Sequence, residues 1–211
     1  MKAPSLLIIT ALLLSACATT NKQSLADKEI LRDARIKASQ HFYPNITARD
    51  VFFAAEKVLN HIDKTDMEME IRSNRLVASR YFTAFAILAA THGKQFYTID
   101  TKEQNGGVLV TVNSDVLANG GMFPSMVTQS YMDKIETNGN HSTIFRTGDF
   151  RLFHKRLSYF LVGDQEWSSC KNFKKNVEGF EEQAFGMCEL IGIEDLTPAQ
   201  HVSQSNKLYS R

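Results

Sequence analysis

Hydrophobic positions change period several times along the chain, and each change marks an expected element. Val51, Ala54, Ala55, Val58, Leu59 and Ile62 recur at helical spacing, so a helix over about 47–63 should lay one face on a core. Thr47-Ala48-Arg49-Asp50 supplies a capping-box-like start, and His61 at the far end suits a favourable C-terminal charge. Met67-Glu68-Met69-Glu70-Ile71 then alternates strictly, as a half-buried strand does, with Glu68 and Glu70 on the solvent side. Ser73-Asn74 reads as a turn into a partner strand over 75–82. Strands over 95–101 and 108–113 flank a tight turn at Asn105-Gly106-Gly107. Phe150, Phe153, Leu157, Phe160 and Leu161 stripe a second helix over 149–162, stopped by Gly163, with Arg151, Lys155 and Arg156 expected outside. The pattern predicts an α+β fold, an antiparallel sheet of about four to five strands against two main helices.

Other stretches are less regular. A ragged apolar side over 24–40 predicts a solvated or partner-facing helix, and Pro44 breaks the chain after it. Ala84–Ala90 is apolar throughout and reads equally as a strand continuation or a short helix. Asn119-Gly120-Gly121 is expected to open a long irregular stretch to about Asn140, in which Ser125–Ile135 reads as either a loop or a short helix. Residues 196–211 read as a polar, fraying tail.

The N-terminus has another logic. Lys2 precedes an apolar run, Leu6–Leu14, which shrinks to Ser15 and Ala16 before Cys17. A charged start, a short apolar core and small residues describe an export signal, and the run is shorter than the roughly 20 residues a bilayer span needs. Leu14-Ser15-Ala16-Cys17 resembles the lipobox of bacterial lipoprotein precursors. The resemblance implies a diacylglyceryl group on the Cys17 thiol, cleavage before it, and acylation of the new amino group. Ala18, where an Asp would mark inner-membrane retention, implies the outer membrane, periplasmic side, with surface exposure left open. The expected organisation is a signal peptide (1–16), lipidated Cys, tether and N-terminal helix (17–46), one α+β domain (47–195) and the tail (196–211).

Removing residues 1–16 takes away one charge, Lys2, and leaves basic and acidic side chains equal in number. That balance argues against nucleic acid as a partner. Fourteen Phe and six Tyr are ample for a packed core. With Cys17 lipidated, Cys170 and Cys188 would share an oxidising compartment, which predicts a structural disulfide between them. Trp167, just before the first of them, is the expected apolar anchor under that loop.

The helix Val51-Phe52-Phe53-Ala54-Ala55-Glu56-Lys57-Val58-Leu59, the strand ending at Ile71-Arg72, and the restart Asn74-Arg75-Leu76-Val77-Ala78-Ser79 look like the helix-grip domains of periplasmic lipoproteins. The C component of the outer-membrane β-barrel assembly machinery is one such protein. Asn74 stands where those domains often carry Gly, and no functional residue carries over.

No phosphate loop, Gly-x-Ser-x-Gly elbow, His-Glu-x-x-His pair or clustered metal-ligand pattern occurs, so neither cofactor nor metal is expected. His92, His141 and His154, with Asp149 or Asp164, are the first residues to inspect for a constellation assembled in space. The leading expectation is a non-catalytic interaction or scaffold component of an envelope assembly, its partners the membrane, through the lipid, and other envelope proteins. A carrier of an apolar molecule is the alternative, with Phe82, Phe85, Phe96, Met122, Phe123 and Met126 as a possible apolar surface or cavity lining. A hydrolase of an envelope polymer comes third.

Overall fold

The computed structural model describes residues 25–63, 66–86, 89–121, 140–143, 145–163, 166–175, 179 and 181–188. The side chains at 25, 83–86, 89–91, 118–121, 140–143, 174–175 and 185 are outside that description. The chain divides into residues 1–34 and 35–211. Helix α1 (Leu25–Ser39) begins in the first unit, where Ile30 is exposed, and ends in the second, where Ile36 is exposed.

Strand β1 (Gln40–Pro44) follows, then helix α2 (Ala48–Ile62). The expected capping box closes this helix: the Asp50 N–H donates to Thr47 Oγ1 at 3.3 Å, and the Thr47 N–H to Asp50 Oδ2 at 3.1 Å. Its apolar stripe buries Val51, Phe52, Ala54, Ala55, Val58, Leu59 and Ile62, each large aliphatic member worth about 1.5–3 kcal/mol once removed from water. Next come β2 (Glu68–Arg72), β3 (Arg75–Ala86), β4 (Ala89–Gln104), β5 (Gly107–Gly121) and β6 (Asn140–Thr143). Helices α3 (Thr147–Val162), α4 (Cys170–Lys175) and α5 (Phe185–Cys188) complete the elements among the described residues.

The sheet is antiparallel, in the order β1-β5-β4-β3-β2, and β6 also pairs with β5. Residues 107–111 of β5 hold β1 and residues 115–118 hold β6, so two strands lie end to end along one edge of β5. Asn105 and Gly106, both at positive φ, make the tight turn between β4 and β5. At the next residue a Cβ would run into the Tyr43 carbonyl, so Gly107 lets β1 close on β5.

The registers sort the side chains into two faces. Leu76, Ala78, Tyr97, Ile99, Val108, Val110 and Val112 face inward and join α2 and α3 in one core with Phe145, Phe150, Leu152, Phe153 and Leu157. Met67 and Met69 pack at its margin as filling. Glu68 and Glu70 are exposed, as alternation requires.

The structure corrects several boundaries. Gln40–Pro44, expected to be the end of a helix and a break, is a strand, because its partners on β5 satisfy its backbone. Of the two readings of Ala84–Ala90, strand continuation holds for Ala84–Ala86 in β3 and for Ala89–Ala90 in β4. Asn119-Gly120-Gly121 does not open a loop: it stays paired through Ala90↔Gly121. β6 at Asn140–Thr143 brings the count to six strands. The reading of Ser125–Ile135 falls outside the described residues.

Candidate functional site

Among the described residues, the most elaborated region is the seat of residues 166–175 and 181–188 on α3. Cys170 and Cys188 are bonded, with Cα atoms 5.8 Å apart. Asp149, in the first turn of α3, is wholly buried. Its Oδ2 accepts the Arg146 N–H at 3.0 Å, capping the helix, and its Oδ1 accepts the Met187 N–H at 2.9 Å, holding α5. Burial lifts the Asp149 carboxyl to about 6 against the opposing pull of these N–H groups. The Gly148 N–H donates to the Glu181 carbonyl at 2.9 Å. Arg35 clasps the Glu181 carboxylate with Nε and Nη2 at 2.8–3.1 Å, and Arg151 pairs with Glu182. Glu181 and Glu182 are therefore spent on docking.

Arg156 departs from its expected place. It is 2% exposed rather than outside, with its guanidinium 4.8 Å above the Trp167 ring. Its Nε donates to the Ser168 carbonyl at 3.2 Å, and its Nη2 lies 3.4 Å from Cys170 Sγ. The aromatic face and the carbonyl together replace the water this cation gives up. Trp167 is the buried anchor expected of it, edge-on to His61 at 4.5 Å and to Tyr159 at 5.4 Å.

Two buried polar networks escape a one-dimensional reading. His154 Nε2 lies 3.0 Å from the Ser39 carbonyl, which only accepts, so this nitrogen carries the proton. Nδ1 then accepts from the Tyr43 hydroxyl at 3.1 Å, and burial pushes the imidazole down to about 4. His41, 5.5 Å from that ring, is also lowered by burial. Burial raises the Tyr43 and Tyr97 hydroxyls. Across the inner face of the sheet, Arg80 donates Nε and Nη2 to Gln95 Oε1 at 3.2 and 2.9 Å and Nη1 to Asp63 at 3.3 Å, while Gln95 reaches Ser114 at 3.4 Å. Gln95 is 1% exposed, a polar side chain set with Arg80 and Ser114 among the apolar residues of that face.

Among the described residues, those singled out for chemistry do not assemble. His92 lies on the outer face of β4, because it pairs with Asn119 and Thr83 on the odd rows. His154 and Asp149 belong to separate networks on α3. His141 lies in β6 with its side chain outside the description, as does all of Asp164. Among the described residues no group of three His, Cys, Asp or Glu could hold a metal. Phe82, opposite Gly93, faces inward; Phe96, opposite Ser79, faces outward. Phe85, Met122, Phe123, Met126 and Cys17 fall outside the described side chains.

An open cleft of about 520 Å³ lies between the β1–α2 turn and the β4–β5 turn, lined by Asn45, Ile46, Thr47 and residues 103–107. The Asn45 N–H donates to the Gly106 carbonyl at 2.8 Å across its floor. No helix among the described residues is long and apolar enough to cross a membrane. No family model, no curated protein and no solved structure matches this chain.

Proposed function

We propose that the protein is a lipid-anchored component of a bacterial outer membrane, on its periplasmic side, that binds other envelope proteins and catalyses no reaction. The supporting observation is the division of the three cysteines. Cys170 and Cys188 are joined to each other, so Cys17, in its lipobox-like setting, is the thiol left for an acyl group. A structural disulfide also suits an oxidising compartment. Val51, Leu59, Ile99 and Leu157, between the helices and the sheet, are fully buried, which supports recognition through the surface. Phe82 and Phe96 lie on opposite faces, which counts against a carrier cavity lined by both.

Labelling with radioactive palmitate tests the anchor: the protein takes up label and Cys17→Ala does not. Equal labelling of the two ends the proposal. Crosslinking in intact cells should attach envelope proteins to the wild type; recovery of the protein alone, or with cytoplasmic proteins, would overturn the interaction role.

A further inference from the structure

The sheet ends at β2, and among the described residues nothing pairs with its outer edge. The two-residue turn Ser73-Asn74 makes Arg72↔Arg75 the closing pair of the β2–β3 hairpin. Hydrogen-bonded and non-bonded pairs alternate from there, so Glu68, Glu70 and Arg72 bond to β3. Met69 and Ile71 therefore turn their backbone N–H and C=O groups outward. Ile71 is 53% exposed, a large apolar side chain on an open edge.

We propose that β2 pairs antiparallel with β2 of a second copy of this chain, about a two-fold axis through Glu70. This goes beyond the anchoring and adaptor role and does not depend on it. The parity fits, since Met69 meets Ile71 of the other copy, and the reverse, as two hydrogen-bonded pairs with four backbone bonds. Their apolar side chains meet on the inner face. On the outer face each Glu68 meets Arg72 of the other copy, so the charges are self-complementary. The two Glu70 carboxylates at the axis are each already held by their own Arg72, Nη2 to Oε2 at 2.6 Å. Glu68 is itself 76% exposed and 3.9 Å from Lys94, free to turn to the new cation. A register one step along, centred on Ile71, would set Met69 against Ser73, which sits at φ +47 in the turn and outside the strand. Charges of one sign would protect such an edge from pairing; these alternate and match.

A five-residue edge buries well under the roughly 800 Å² per partner of a standard interface, so the pairing is weak and is best read by trapping it. The test uses the full-length chain. At the axis the two Glu70 side chains form a non-bonded pair with Cβ atoms about 4.5–5.5 Å apart, within reach of a disulfide after small adjustment. Mild oxidation of Glu70→Cys should give a reducible dimer, whereas Glu56→Cys, on the exposed side of α2, should not. Arg72→Glu in the Glu70→Cys background sets two acids opposite each other and should cut the trapped fraction about tenfold. Adding Glu68→Arg exchanges the charges and should restore it. No dimer from Glu70→Cys, equal dimer from Glu56→Cys, or a trapped fraction unmoved by Arg72→Glu would each overturn the proposal.

Discussion

One carboxylate, Asp149, accepts the N–H of Arg146 at the start of α3 and the N–H of Met187 in α5, 38 residues further on. The same side chain thus caps a helix and seats the disulfide-bearing segment. Asp149→Ala leaves both N–H groups without that acceptor in a buried place. The expected cost is about 2–4 kcal/mol, a lost cap plus a buried unsatisfied donor. Urea unfolding measures it, and a loss under 1 kcal/mol would refute the dual role.

Asp149 and His154 should oppose each other in acid. The Asp149 carboxyl, ordinarily near 3.8, stands at about 6 when folded, so its contribution is full below about pH 4 and lost as pH rises through 6. The His154 imidazole, ordinarily near 6.5, stands at about 4, so its contribution is full above about 6.5 and lost as pH falls through 4. Each amounts to about 3 kcal/mol at 1.36 kcal/mol per pKa unit. Between pH 4 and 6.5 they offset one another. His154→Gln should therefore lose stability as pH rises from 4 to 6, and Asp149→Asn should gain it from 4 to 6.5. Unfolding midpoints across that range report the two slopes, and parallel profiles for both variants would contradict the assignment.

Replacing Cys170 and Cys188 with Ser should cost about 3 kcal/mol, from the chain entropy of the reopened loop. The ion pairs Arg35–Glu181 and Arg151–Glu182 are partly exposed and worth at most about 1 kcal/mol each, too little to hold the segment alone. Limited proteolysis should cut within 171–187 in this variant but not in the wild type. Hydrogen exchange should leave β3–β5 protected in both.

Arg80→Met removes the buried cation shared by Asp63 and Gln95 and should destabilise by about 3–5 kcal/mol. Asp63→Asn in the same chain removes the carboxylate that Arg80 had faced and should return at least about 1 kcal/mol. Additive losses in thermal or urea unfolding would count against the network.

Legibility in the sequence followed range. Helix α2 was readable because its stripe and its Thr47/Asp50 cap lie within one stretch. Helix α3 with its Gly163 stop, and the Asn105-Gly106 turn, were readable for the same reason. β1 was not: Tyr43 pairs with Val108, and nothing local in Gln40–Pro44 alternates strongly enough to show it. Asn119-Gly120-Gly121 looked like a breaker because glycine weakens a strand on average, but pairing with β4 outweighed that preference. Arg156 looked like a solvent-facing cation, since only the fold brings Trp167 over it. The seat on Asp149 shows in the sequence only as an acid in a first helical turn.

The end-to-end seating of β1 and β6 on β5 has a consequence for the order of assembly. A chain delivered from its N-terminus, by ribosome or export channel, presents β1 before any strand that can receive it. Tyr43 waits for Val108, then for His154, 111 residues later, and Ser39 waits 115 residues for the same imidazole. Such distant closures are slow, while the β3–β4 and β4–β5 hairpins need only their own turns. The hairpins therefore form the template, and the first strand to emerge is among the last to be seated. Until then the inward face of β5 at Val108 and Val110 lacks its neighbour, and that bare edge is what a chaperone would have to shield.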